Sequence, residues 1–191
     1  FVVSFHRDYS QAIELAESVL IGSPQEQRKI FDLVRCNTLH LLSSMYYATG
    51  QLARAEQICL ETILLAGQIR FPLRYLHAVN KLILIYLATG QLARIGQTIA
   101  EAQAFLEERG YHNYFVALQL QFRTVELLFE LNQLVEAQRL VESISDQVKS
   151  VDALYLLVDF YNIQAYALLL KCDFTGAQGA LDRAADLGRQ S

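Results

Sequence analysis

The 191-residue chain contains no tryptophan, one methionine, two prolines and nine glycines. So little proline and glycine excludes collagen-like, linker-like and low-complexity chains, and 53% hydrophobic residues exclude intrinsic disorder. The three cysteines, Cys36, Cys59 and Cys172, are odd in number and far apart, which argues against a disulfide framework and fits a reducing, cytoplasmic setting. Neither sign of charge dominates: 16 basic and 20 acidic residues are interspersed, for a net charge of −4. No basic stripe is available to neutralise phosphates, so nucleic acid is not an expected partner. The longest apolar runs, such as Leu82 to Ala88, are far too short to span a membrane. No charged start with an apolar core and small-residue cleavage site marks a signal peptide.

What is present is a duplication. Ala-Thr-Gly-Gln-Leu-Ala-Arg occupies 48–54 and again 88–94, and Tyr46 is answered by Tyr86. A heptapeptide written twice in this way signals stacked helical units, each too small to bury its apolar face alone. Extending the pattern gives turns at Arg7, Gly50, Gly90, Asn132 and Cys172, at nearly constant intervals. The organisation expected is a half-repeat over 1–22 and four helix pairs over 24–67, 69–110, 111–149 and 151–189. Because the chain opens at Phe1 as though within a helix, it reads as a fragment of a longer array.

Local signals place the helix ends. Ser23 can cap a helix with Pro24 in its first turn, and Gly67, Gly110 and Gly188 are placed as stops, Gly67 through a left-handed conformation. Each turn is followed by an aromatic or leucine (Tyr9, Leu52, Leu92, Leu134, Phe174) that can pack back on the preceding helix. Three residues later stands Ala12, Ala55, Ile95, Ala137 or Ala177. Small side chains there let paired helices approach closely, and Ile95 predicts a wider crossing in its unit.

A small turn residue, one residue, an aromatic or leucine, two residues and alanine resembles the second-helix start of a tetratricopeptide repeat. Tyr46 and Tyr86 fall where that repeat carries its last first-helix aromatic. The resemblance implies an all-α, right-handed superhelix of helical hairpins. The period exceeds the roughly 34 residues usual for that repeat. Longer repeats of this kind with Gly-Gln-Leu-x-x-Ala, as at Gly50 to Ala55, resemble the superhelical sensor region of MalT-like, large ATP-binding LuxR-type transcription regulators. This implies a bacterial cytoplasmic regulator whose ATPase and DNA-binding parts lie elsewhere. No phosphate-binding Gly-Lys-Ser/Thr loop or basic helix-turn-helix occurs in this chain.

In such a stack the first helices line the concave wall. Counting back from each turn at helical spacing gives three facing side chains per first helix. From Gly50 they are Asn37, His40 and Ser44, and from Gly90 they are His77, Asn80 and Leu84. Asn132 gives Gln119, Phe122 and Glu126, and Cys172 gives Asp159, Asn162 and Tyr166. Polar groups with occasional aromatics on a concave wall suit a protein, peptide or small polar ligand. Against this stands the plainer reading that they are the solvated faces of amphipathic helices.

Asn80 and Asn162 occupy corresponding slots and resemble the amides with which some tetratricopeptide domains hold a peptide backbone. The basic residues that complete a carboxylate clamp do not occupy these positions. His40 and His77 can approach across adjacent helices near Cys36, but no zinc-like ligand spacing accompanies them, and no metal or cofactor is implied. Glu126 and Asp159 can pair, yet no nucleophile constellation gives them a reaction, so the chain reads as non-catalytic. Tyr111, Tyr114 and Phe115 read as packing aromatics. The functional expectation is a ligand- or partner-binding sensor region, the alternative a generic scaffold for protein–protein contacts. Self-association through exposed solenoid ends is a third possibility.

Overall fold

The computed structural model describes residues 2–21, 28–111, 115–150 and 153–189. Among these it contains nine helices and no strand: α1 (Val2–Ile21), α2 (Arg28–Ala48), α3 (Leu52–Gln68), α4 (Pro72–Ala88), α5 (Leu92–Arg109), α6 (Phe115–Glu130), α7 (Leu134–Ser150), α8 (Leu154–Leu170) and α9 (Phe174–Gly188). The all-α helical-repeat class follows from the sequence as expected, with helix pairs closing at the glycine, asparagine and cysteine turns. The proposed Ser23–Pro24 cap and Tyr114 lie outside the described residues.

The helices end in one recurring way. At Gly50 the backbone takes φ 74°, Gln51 N–H donates to Tyr46 O at 2.8 Å, and Gly50 N–H donates to Tyr47 O at 3.1 Å. This crossed pair satisfies carbonyls that the last helical turn would leave bare. The same pair closes α4 at Gly90 (φ 69°), α5 at Gly110 (φ 68°), α6 at Asn132 (φ 57°) and α8 at Cys172 (φ 61°). Asn132 and Cys172 thus do in the later repeats what glycine does in the earlier ones, although a side chain makes left-handed backbone costly.

Two expected breaks are corrected. Gly67 stays helical, and Arg70 takes the left-handed position (φ 56°) after α3 has run to Gln68. Pro72 then opens α4 at a position whose N–H has no helical acceptor. The turn expected at Arg7 is absent, because α1 is continuous from Val2 to Ile21. Arg7-Asp8-Tyr9 carries no glycine or asparagine, and a helix already nucleated propagates at little cost through such residues. Ala12 therefore lies inside a helix rather than at the start of one.

Two compact units make up the chain, Phe1–Thr98 and Ile99–Ser191, and their division falls within α5. In the first unit α1 packs on α2, α3 packs on both α2 and α4, and α2 and α4 touch directly. Cys36, Leu39, Leu42, Ala55, Cys59, Leu76, Val79 and Ile83 are buried there. Each large apolar side chain so buried contributes about 1.5–3 kcal/mol. Ser43 and Thr62 are wholly buried too, and their hydroxyls donate to the carbonyls of His40 (2.7 Å) and Ile58 (2.7 Å).

The heptapeptide is read out here as a set of contacts. Thr89 Oγ1 donates to Ile85 O, Gln91 Nε2 donates to Thr89 Oγ1 (2.8 Å), and Arg94 Nη1 donates to Gln91 Oε1 (2.9 Å). Arg94 lies 4.2 Å from the centroid of the Tyr86 ring. The first copy repeats every element: Thr49 to Met45 O, Gln51 to Thr49, Arg54 to Gln51, and Arg54 over Tyr46. Tyr46 donates to Glu17 of α1 as Tyr86 donates to Glu56 of α3. The C-terminal half of α1 therefore serves α2 as α3 serves α4.

In the second unit α7 packs on α6 and α8, which also touch each other, and α9 packs on α8. Leu118, Phe122, Val125, Ala137, Val141, Ile144, Val148, Leu156, Phe160 and Ile163 form its core. Of the five slots expected three residues after the aromatic or leucine, Ala55, Ile95, Ala137 and Ala177 are buried and Ala12 is half-buried. Phe174 does not pack back as expected and is 68% exposed. Asp173 caps α9, its Oδ1 accepting from Gly176 N–H at 2.9 Å.

Candidate functional site

The first helices of each unit stand side by side, as the repeat reading requires, and the polar residues expected on them form two separate clusters. In the first unit the cluster joins α2 to α4. Arg74 Nε donates to Asn37 Oδ1 at 2.6 Å, and Arg74 Nη1 lies 3.4 Å from His77 Nδ1. The rings of His40 and His77 stack with centroids 5.3 Å apart and an interplanar angle of 27°. Lys81 Nζ donates to Ser44 Oγ and, at 3.4 Å, to Ser43 Oγ. Arg74, His77 and Lys81 lie at i, i+3 and i+7 on α4 and so share one face.

Burial and cationic neighbours set the electrostatics of this cluster. His40 is pushed down from 6.5 to about 3, first by burial and then by the charges of Lys81 and Arg74, with His77 adding the least. His77 is lowered by burial, then by Arg74 and Lys81. Both imidazoles are therefore neutral at pH 7, and His40 Nδ1 is buried without a hydrogen-bond partner. Burial also lowers Lys81 and raises Cys36 and Cys59 to about 11, so neither thiol is a thiolate at neutral pH.

In the second unit the cluster is acidic. Glu126 pairs with Arg123 at 2.5 Å on α6. Burial raises the Glu126 carboxyl, Arg123 opposes this, and Asp159 and Glu130 raise it further. Asp159 is raised by burial and lowered by Arg123. Beside them Glu126, Phe129, Glu130, Asn162, Ile163 and Tyr166 line a shallow depression of about 250 Å³. Phe129 meets Tyr166 edge-on at 4.8 Å, leaving the Tyr166 ring half exposed.

Of the expected residues, two are buried and the others are half-buried or exposed. Asn37, His40, His77, Gln119, Glu126 and Asp159 are half-buried, and Asn162 and Tyr166 are exposed. Phe122 is a core residue with no exposure, 6.5 Å from Phe160 of α8. Asn80 is 8% exposed, so it is not the counterpart of Asn162 that its spacing implied. For Phe122 the reason is geometric. Within each unit the middle slot of the earlier first helix meets the later one, as His40 of α2 meets His77 of α4 and Phe122 of α6 meets Phe160 of α8.

The charged members Arg74, Lys81 and Arg123 were not among the expected site residues. Their signal was available as i, i+3 and i+7 spacing around His77 and as the i, i+3 pair of Arg123 with Glu126. Among the described residues no group of three or more histidine, cysteine or acidic side chains is arranged to hold a metal ion. No described helix is long and apolar enough to cross a membrane.

No protein-family model matches the chain, and no curated protein matches it in sequence. Solved structures do. BtubC (BKLC) from P. vanneervenii superposes with a TM-score of 0.71 at 15% identity, covering 97% of this chain and 72% of that one. A kinesin-light-chain-like protein of nearly identical TPR-like repeats from Podospora anserina gives a TM-score of 0.62 at 19% identity, covering 97% and 89%. At such identities the likeness is one of fold: this chain has a TPR-like helical-repeat fold.

Proposed function

We propose that this chain is a non-catalytic interaction scaffold that binds a protein segment along the walls formed by its first helices. The observation that carries this reading is the α2–α4 cluster. There Asn37, His40, Ser44, Arg74, His77 and Lys81 present hydrogen-bonding groups across adjacent helices on a half-buried surface. A protein segment in extended conformation offers the complementary row of amides and carbonyls. The acidic depression beside Asn162 and Tyr166 supplies a second contact of different charge.

Selection of a random peptide library on the full chain tests this. Selected peptides should lose tenfold or more in affinity on the double variant Asn37→Ala/Asn162→Ala. They should bind normally to Arg139→Ala, which alters an exposed residue of α7. Equal affinity for both variants would remove the first-helix walls from the proposal.

A finer reading, a sensor region of a MalT-like regulator, is favoured by the Gly-Gln-Leu-x-x-Ala turns and by a period longer than that of ordinary tetratricopeptide repeats. In that case wall binding shifts a population between inactive and active arrangements, which requires unequal affinity for the two. The gene's flanking sequence decides this reading: a nucleotide-binding domain upstream and a helix-turn-helix downstream are required by it.

A further inference from the structure

The shallow depression of the second unit joins an aromatic wall to an acidic one. Glu126 and Glu130 reach it from α6, and Asn162 and Tyr166 from α8. Each pair is four residues apart and so shares one face of its helix. Phe129 meets the Tyr166 ring edge-on at 4.8 Å, yet Tyr166 remains 49% exposed, so part of its ring is uncovered. At about 250 Å³ the space is smaller than the roughly 300–1,000 Å³ of a small-molecule site, and it suits the head of a single side chain.

Its negative charge is only partly answered. Arg123 pairs with Glu126 at 2.5 Å, but among the described residues Glu130 and Asp159 have no ion pair or hydrogen bond. Burial raises the Glu126 carboxyl, Arg123 opposes, and Asp159 and Glu130 add to the rise, so three carboxylates share one arginine. Elsewhere the chain answers this chemistry internally. Arg94 stands 4.2 Å from the Tyr86 centroid while pairing with Glu56 at 2.7 Å, a tyrosine and a glutamate holding one guanidinium. In five places among the described residues a cation lies over an aromatic ring, each time an arginine. None of these stands over Tyr166, although Glu126 and Glu130 line the depression with it. A guanidinium is planar and weakly hydrated, so it can lie on a ring and still fork toward a carboxylate.

We propose that this depression binds the guanidinium of an arginine side chain carried by a partner protein segment. Tyr166 offers its uncovered ring, Glu130 accepts from the guanidinium at the exposed rim, and half-buried Glu126 adds charge. Such a segment is the partner of the scaffold reading, on which this assignment rests; the ring and the charge select the residue it carries.

Backbone amide resonances of α6 and α8 in the full chain test it, during titration with N-acetyl-arginine amide at constant ionic strength. N-acetyl-citrulline amide, the neutral isostere, and N-acetyl-lysine amide are the comparison ligands. The expected result is a saturable shift with the arginine derivative, weaker binding of the lysine derivative, and no saturable shift with citrulline. Glu130→Gln and Tyr166→Leu, both at exposed side chains, should each weaken binding about two- to fivefold, and together about tenfold. Glu136→Gln, which removes an exposed carboxylate of α7, should leave binding unchanged. The same spectra report whether each variant is folded. The site would be overturned by no saturable shift in the parent chain, or by citrulline or lysine binding as tightly as arginine. An undiminished response in the double variant, or an equal loss in Glu136→Gln, would overturn it too. Peptides selected on the full chain separate this site from the scaffold reading. Wall-dependent peptides that lack arginine and bind Glu130→Gln unchanged would overturn the site and leave the scaffold standing. Failure to select any wall-dependent peptide would count against the scaffold, with the titration still deciding the depression.

Discussion

The imidazoles of His40 and His77 lie stacked at 5.3 Å, and the charges that bear most on both are those of Lys81 and Arg74. Both rings are held neutral in the folded chain, with His40 pushed from 6.5 to about 3. A depressed folded value means that the unfolded chain binds the proton first. Stability from this source is therefore complete above about pH 6.5 and is lost as pH falls toward 3. Urea midpoints measured from pH 8 to pH 4 should fall across this window, and His40→Gln should flatten the slope. An unchanged slope in that variant would place the titration elsewhere.

The acidic cluster of the second unit has the opposite sign. Glu126 and Asp159 are both raised above their ordinary 4.5 and 3.8, so the folded chain holds their protons more tightly than the unfolded chain does. Stability from this pair is complete below those ordinary values and is lost as pH rises through the raised folded ones. Glu126→Gln should remove its share, making stability above its ordinary 4.5 less dependent on pH. Hydrogen exchange of α6 and α8 reads this separately from the histidine effect.

The turn residues predict stability changes of both signs. Cys172 holds a left-handed backbone at φ 61°, where a Cβ is crowded and glycine is not. Cys172→Gly should therefore stabilise the chain by up to about 1 kcal/mol, after allowance for the entropy of glycine. Gly90→Ala, at φ 69° with open space around the added carbon, should cost about 1–2 kcal/mol through backbone strain alone. Chemical denaturation measures both.

The Tyr86–Arg94–Glu56 cluster can be separated by a double-mutant cycle. Arg94 stands over the Tyr86 ring and pairs with Glu56 at 2.7 Å, although it is partly exposed. The expected coupling between Arg94 and Glu56 is about 0.5–1 kcal/mol, falling with added salt. A coupling that salt leaves unchanged would mean that the contact is packing rather than charge.

Phe122 separates stability from binding. It is fully buried against Phe160, so Phe122→Ala should destabilise by about 3–5 kcal/mol. Asn162→Ala, at an exposed side chain, should leave stability within about 0.5 kcal/mol. Thermal melts of the two variants make the comparison. The residue expected on the wall thus serves the core, and its partner in the pattern serves the surface.

The sequence by itself determined the helical hairpins and most of their ends, though not the close at Arg70 or the continuity of α1 through Arg7. Left-handed closure is a local event that needs a permissive residue and the carbonyls of one preceding turn, so Gly50, Gly90, Asn132 and Cys172 were legible in advance. So was the place of the small residues Ala55, Ala137 and Ala177, all buried, since close approach of paired helices demands them at a fixed offset. Only the tertiary structure decided which side of a first helix is open and which meets its neighbour. Four residues at one offset, His40, Asn80, Phe122 and Asn162, end up half-buried, buried, buried and exposed. The same dependence hid the cations: Arg74 and Lys81 lie close in sequence, but whether an acid stands opposite them depends on the packed helices. Periodicity places a side chain on a face of its own helix; what that face meets is settled by packing between helices.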